Sequence, residues 1–310
     1  MEAQATPLPE AGGFQVSPRA FRRLALAAAA MLLLIVATGA TVRLTSSGLG
    51  CRHWPGCQAG NPFPERGYHS YIEFGNRVVA FFTIVVTLAS GFAAVFVARL
   101  PRWAKGLALA TFGGTLAQAP LGAVTVYFDL NPWLVLTHLL LSLAILGAGV
   151  VVVLEAFALE GGHVAPLVPP WVRRVAVVTA LACAALVVSG TIVTASGPHP
   201  GDAKVHRLGH FDEAIWVHVR ATAAFGLSFL VVLVHLVRRR RAAGRLLHAA
   251  LAVLALLLTQ MAIGEVQYRT RLPWWLVLAH VTVAAAVWAA LVALVVLLWR
   301  PPGFVSTLDK

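Results

Sequence analysis

The sequence predicts an all-α integral membrane protein: eight transmembrane helices arranged as two pseudo-two-fold-related four-helix bundles. Three observations predict it. The first is composition. Of 310 residues, 59% are hydrophobic and 12% charged, and mean hydropathy is +0.81. A soluble domain is about half apolar and roughly a quarter charged, so a soluble enzyme, a disordered chain and a disulfide-stapled secreted domain are excluded. The second is the presence of eight apolar runs, and the third is an internal repeat.

Crossing about 30 Å of hydrocarbon takes about 20 mostly apolar residues. The runs Leu24–Val42, Val78–Val97, Leu107–Val126, Trp133–Leu154, Val175–Ala195, Ile215–Val237, Leu246–Val266 and Trp274–Trp299 meet that requirement. The net charge of +12 lies between the runs, which reads as topology and not as nucleic-acid binding. Fifteen of the 24 basic residues fall on the side of the termini and nine on the other. The positive-inside rule therefore puts both termini in the cytoplasm. Residues 1–20 read as a disordered cytoplasmic tail, 21–155 as an N-terminal half with an outer loop at 43–77, 156–173 as a cytoplasmic linker, 174–300 as a C-terminal half and 301–310 as a second tail. Richness in Ala, Val, Leu and Arg points to a GC-rich bacterial genome and so to a bacterial cell membrane.

A shift of 142 residues lays the third and fourth runs on the seventh and eighth. Between Gln118 and His138, nine of 21 positions equal their counterparts between Gln260 and His280. Trp133-Leu-Val-Leu-x-His138 meets Trp275-Leu-Val-Leu-x-His280, and the same shift carries Asn76 onto His218. With a small indel, Gly39-x-x-Val42 meets Gly190-x-x-Val193. Two halves in one orientation imply a pseudo-two-fold axis along the membrane normal.

The repeat sets His138, His218 and His280 at one depth near the outer ends of their helices, with Asn76 in the remaining equivalent place. Ionisable groups within spans are costly and mark function. Two imidazoles on facing helices reach both faces of a haem iron. Zinc is disfavoured, because neither pair has further Cys, His or Asp ligands at short spacing. His206 and His210, in the second outer loop, carry weaker warrant. Arg77 and Arg220 stand beside Asn76 and His218, either meeting haem propionates or snorkelling to headgroups. Glu73 shares a helix face with Asn76 and Arg77; it is either half of an ion pair with Arg77 or a proton-transfer group. Cys51 and Cys57 lie in the outward loop, where the oxidising side of a membrane permits a disulfide. A structural staple and a redox-active pair both fit. Cys183 reads as a small core residue.

These residues resemble the haem A synthase family. The resemblance runs through Thr38-Gly-Ala-Thr-Val-Arg-Leu-Thr-Ser-Ser-Gly48-Leu-Gly-Cys51, Trp54-Pro-Gly-Cys57 and Glu73-x-x-Asn76-Arg77, and covers about residues 22–300. It implies a haem-dependent membrane oxidoreductase that converts the methyl group of haem O to the formyl group of haem A by successive hydroxylation, supplying terminal oxidases. It further implies haem b between His218 and His280, and a substrate site in the N-terminal half with Glu73 catalytic and His138 on the substrate haem. By the same resemblance, Cys51 and Cys57 form a disulfide. Implied partners are haem O, the lipid bilayer and the farnesyltransferase that makes haem O; no nucleic acid is implied, and the farnesyl tail of haem O suggests lateral entry from the bilayer as a hypothesis. The haem sites face outward.

The chain departs from the family where Glu-x-x-His-Arg becomes Glu73-Phe-Gly-Asn76-Arg77. Either His138 alone holds the substrate haem, or Asn76 bonds a water or reactive oxygen species there, or the site has lost activity. His218-Val-Arg220 also spaces its arginine one residue later than the family form. The main rival is a di-haem b-type electron-transfer cytochrome, against which the missing ligand at Asn76 argues. A two-repeat transporter would show helices broken near the midplane, and a thiol oxidoreductase would need a second dithiol.

Overall fold

The computed structural model describes residues 14–306, except 52, 65, 203 and 204. The expected disorder of the first residues falls largely on 1–13, outside the described residues.

Eight helices follow one another: α1 Pro18–Leu44, α2 Tyr68–Val95, α3 Arg102–Tyr127, α4 Pro132–Gly161, α5 Pro170–Ser196, α6 Phe211–Arg238, α7 Gly244–Arg269 and α8 Trp274–Trp299. Each is long and apolar enough to cross a membrane, and no strand occurs among the described residues. The chain is a multi-pass membrane protein.

Local chemistry sets several starts. Ser17 caps α1 by accepting from the Ala20 amide at 3.2 Å, ahead of Pro18. Asn131 caps α4 through the Trp133 amide at 3.0 Å, ahead of Pro132. Proline in the first turn gives up an amide that would be unpaired anyway. The helices outrun the apolar windows because their end turns carry polar residues outside the hydrocarbon. Three boundaries move accordingly. Residues 18–20, expected in the tail, are helical. Residues 68–77, placed in the outer loop by hydropathy, form the first turns of α2, where Glu73, Asn76 and Arg77 share a helix face as their spacing predicts. The linker shortens to 162–169.

Large side chains such as Phe81, Phe92, Leu181 and Leu227 are exposed on the helices, as lipid-facing surface requires. Trp133, Trp216 and Trp275 are exposed near one set of helix ends and Trp103, Trp171 and Trp299 near the other, two interfacial belts.

In the first half α1 packs on α2 and α4, and α3 on both of those; α5–α8 repeat the arrangement. Between the halves α4 packs on α8, α1 on α8 and α4 on α5. Exchanging α1 with α5 and α4 with α8 reproduces this set, as a two-fold axis through the α4–α8 contact demands. There the Trp288 indole donates to the Leu143 carbonyl at 2.8 Å, across Gly147, where a Cβ would lie 3.3 Å from the indole nitrogen. Leu32, Val36, Leu146 and Ala285 pack together across the same boundary.

The repeat extends to the backbone. Asp129 and Leu130 after α3, and Arg271 and Leu272 after α7, are the same left-handed pair 142 residues apart. The Leu130 amide donates to the Thr125 carbonyl at 2.9 Å and the Leu272 amide to the Gln267 carbonyl at 2.7 Å. Non-glycine residues rarely hold positive φ, so two consecutive ones recurring in register are a copied turn.

Candidate functional site

Each half carries its candidate residues on its second and fourth helices. Asn76 lies eight residues into α2 and His138 six into α4; His218 lies seven into α6 and His280 six into α8. At 1.5 Å per residue all four sit roughly 10 Å below the same ends.

In the C-terminal half the rings of His218 and His280 face each other with centroids 6.5 Å apart. Two ring nitrogens about 2 Å from a shared metal ion, with ring centres about 1 Å further back, place centroids roughly 6 Å apart. His218 Nδ1 is 3.0 Å from the Ser189 hydroxyl, which leaves Nε2 for a metal. His280 Nδ1 is buried and finds no partner in hydrogen-bond geometry. Glycines make room for both rings: a Cβ on Gly190 or Gly264 would lie 3.0 Å from Cε1 of His218 or His280. Among the described residues no three His, Cys, Asp or Glu side chains converge to hold a bare metal ion. A porphyrin brings four nitrogens of its own and asks the protein only for axial ligands, so the His218–His280 pair fits haem.

The N-terminal half repeats the frame with a different occupant. Thr38, equivalent to Ser189, has its hydroxyl 2.7 Å from Asn76 Oδ1. Gly39 and Gly122 stand where Gly190 and Gly264 stand, with more room: 4.0 Å to Asn76 Oδ1 and 3.6 Å to His138 Cε1. His138 Nδ1 and Gln118 Oε1 are buried without partners, as are His280 Nδ1 and Gln260 Oε1. The Gln118 amide donates to the His138 carbonyl at 3.1 Å and to Ser142 Oγ at 2.8 Å, fixing α3 on α4.

Glu73 and Arg77 sit above Asn76 and hold the first outer loop. Glu73 is buried; Oε2 accepts from the Cys51 amide at 2.7 Å and Oε1 from Arg77 at 2.6 Å. The Arg77 guanidinium also donates to the carbonyls of His53 (2.7 Å), Gly56 (2.6 Å), Cys51 (3.2 Å) and Pro55 (3.3 Å). Cys51 and Cys57 are joined in a disulfide inside this loop. The loop lies against α2 because Gly50 has no side chain: a Cβ there would come within 2.6 Å of the His69 carbonyl oxygen. The Ser70 hydroxyl donates to the Gly50 carbonyl at 2.8 Å, and Ser47 Oγ lies 3.0 Å from His69 Nδ1. The Ser47-Gly-Leu-Gly-Cys51 segment therefore docks the loop on α2.

The C-terminal half carries no such staple. Its outer loop is tied by the Ser196 hydroxyl to the Leu208 carbonyl and by His199 to the Leu272 carbonyl at 2.8 Å. Between loop and α7–α8 turn lies a cavity of about 300 Å³ lined by Ser196, Phe211, Leu272, Tyr268, Arg207 and Arg271. Neither guanidinium makes an ion pair or hydrogen bond among the described residues. Arg207, Arg271 and Arg220 are all exposed; Arg220 lies apart from the cavity, 5.9 Å from the Trp216 ring centre. His206 and His210 are exposed, and Cys183 is buried in the C-terminal core.

Sequence reasoning missed four contributors. Thr38 and Ser189 were signalled by the glycine repeat one position on. Arg207 and Arg271 lie far apart in sequence and meet only once the loop folds over α7–α8.

The sequence pattern of the cytochrome oxidase assembly protein family matches residues 22–66 and 63–199. Curated relatives include the haem A synthase of Geobacillus thermodenitrificans, 33% identical over 34% of this chain and 33% of its own length. The haem A synthase of Symbiobacterium thermophilum is 38% identical over 35% of each chain, and that of Bacillus pumilus 34% identical over 40% of this chain and 41% of its own. The matched stretch thus spans between a third and two fifths of these relatives.

Proposed function

Since the chain belongs to the cytochrome oxidase assembly protein family, we propose that it is a haem A synthase, oxidising the methyl group of haem O to the formyl group of haem A. The observation that carries the reading is the matched geometry of the halves: an imidazole pair facing across α6 and α8 at 6.5 Å, and its copy across α2 and α4 with one imidazole replaced by an amide.

The C-terminal half is the resident cofactor site. His218 and His280 would hold haem b, which would supply one-electron transfer there. Ser189 holds the His218 ring through Nδ1, the outer contact that sets tautomer and orientation in metal-bound histidines. The sequence left Arg77 and Arg220 between propionates and headgroups; Arg77 is taken up by Glu73 and the loop carbonyls, whereas Arg207 and Arg271, unpaired at the rim of the outer cavity, are free to meet carboxylates. The N-terminal half is the substrate site, with His138 on the haem O iron. Glu73 handles protons at its rim; Arg77 and the Cys51 amide hold its two oxygens in place, so the disulfide loop doubles as the mount of that carboxylate. Both termini lie in the cytoplasm of a bacterial cell and the haem sites face outward, following the charge bias. The farnesyltransferase that makes haem O is the natural neighbour in the bilayer.

Haem extraction with pyridine-haemochrome analysis, on protein from a host that makes haem O, tests this. The expected result is haem b together with haem O or haem A, with His280→Ala losing haem b selectively. Haem b alone would return the electron-transfer cytochrome to first place. Protein without haem would remove the ligand assignment of all three histidines.

A further inference from the structure

The two halves place a hydroxyl against the same neighbour. Ser189 Oγ lies 3.0 Å from His218 Nδ1, and Thr38 Oγ1 lies 2.7 Å from Asn76 Oδ1. The second contact has only one sense, because an amide oxygen accepts and never donates. Thr38 therefore donates to Asn76; its other acceptor, the Ile35 carbonyl, is more distant at 3.3 Å.

This contact decides what Asn76 offers. The one atom of a carboxamide with lone pairs suited to iron is its oxygen, and Thr38 holds that oxygen on the α1 side by donating to one of its two lone pairs. The amide nitrogen has no such pair and two hydrogens to donate. Asn76 Nδ2 makes no hydrogen bond among the described residues and is not among the buried unpaired atoms, so it is accessible and free to donate. His138 Nε2 is likewise neither bonded nor sealed. The repeat sets Asn76 opposite His138 as His218 stands opposite His280.

Resting on the reading of this half as the haem O site, we infer that it binds the substrate iron through His138 alone and keeps the opposite axial position open to a small ligand, to which Asn76 Nδ2 donates a hydrogen bond. Thr38 is the positioning residue that turns the amide nitrogen inward. The halves thus divide the work: a closed bis-imidazole iron in one, and in the other an iron with a reachable face and a donor above it. Two strong ligands would block that face.

Carbon monoxide is the probe, since it binds ferrous haem with an open position and its stretching frequency reads hydrogen bonding at the bound oxygen. The protein is the full chain, purified from a host that makes haem O and reduced. One of its two haems is expected to bind carbon monoxide. Asn76→His supplies the missing ligand and is expected to abolish that binding. Asn76→Leu and Thr38→Val are expected to keep it while raising the stretching frequency by a similar amount, and Thr38→Ser to leave the frequency as in the parent protein. Two bound haems with no carbon monoxide binding would overturn the inference, as would a frequency unmoved by both Asn76→Leu and Thr38→Val. One haem per chain despite available haem O would instead sink the substrate-site reading beneath it.

Discussion

The N-terminal half is clamped at its outer end over an alanine-rich core; the C-terminal half opens outward over a core of large side chains. The first has a disulfide loop clamped by Glu73 and Arg77, over a core of small residues such as Ala25, Ala94, Ala104 and Ala108. Thr87, Ser90 and Thr111 line a void of about 10 Å³ there, room for at most one water. The second is packed with Phe225, Phe229, Leu236, Leu246, Leu291 and Leu298 but opens outward through the cavity at Arg207 and Arg271. One duplicated frame has thus been specialised at its ends and in its core while the turn, the glycines and the hydroxyl beside the second helix stayed in place.

The largest effect expected from breaking this contrast is at the clamp. Arg77 meets one carboxylate and four carbonyls in a largely buried setting, and removing one partner of a buried pair costs on the order of 3 kcal/mol. Arg77→Ala should lower stability by about that much and make the Cys51–Cys57 disulfide easier to reduce, measured by thermal unfolding in detergent and by the rate of thiol release. Arg220→Ala, on the exposed face of α6, should change both by little, about 0.5 kcal/mol or less. Equal effects from the two would mean that the outer ends of the halves do not differ in the way the loop contacts indicate.

The sequence made the frame legible and the contacts much less so. Eight spans follow from hydropathy, and the repeat from Gln118–His138 against Gln260–His280, because lipid and duplication both write directly into residue type. Glu73, Asn76 and Arg77 were legible as one helix face from their i, i+3 and i+4 spacing, although their turns are too polar for a hydropathy window, which starts the span only at Val78. Whether Arg77 paired with Glu73 or met a propionate was open because the answer depends on how residues 51–57 fold back. Arg271 was equally opaque: its repeat partner is Asp129, so the duplication predicts nothing about its charge.

That opposite pair offers the next test. A cation near a haem disfavours the ferric form, so Arg271→Gln and Arg207→Gln should each lower the midpoint potential of the C-terminal haem. Roughly 60 mV, a factor of ten in a one-electron equilibrium, is the scale for each. Redox titration of the bound haem measures it. A potential that does not move would place the propionates elsewhere and return Arg220 to consideration.

The smallest expected effect separates the halves most finely. Gly264 and Gly122 are repeat partners, yet a Cβ at Gly264 would lie 3.0 Å from the His280 ring while one at Gly122 would lie 3.6 Å from the His138 ring. The first distance forces the imidazole to give by a few tenths of an ångström; the second is ordinary contact. Gly264→Ala should therefore tilt His280 and weaken haem b binding roughly tenfold, the lower end of what disturbed outer contacts cost a metal site, whereas Gly122→Ala should leave the N-terminal site unchanged. Haem retention during dilution and the low-spin signal of the ferric protein read both. If Gly122→Ala proves as harmful as its partner, the N-terminal socket is as tight as the C-terminal one, and the extra space around His138 does not serve a haem that must come and go.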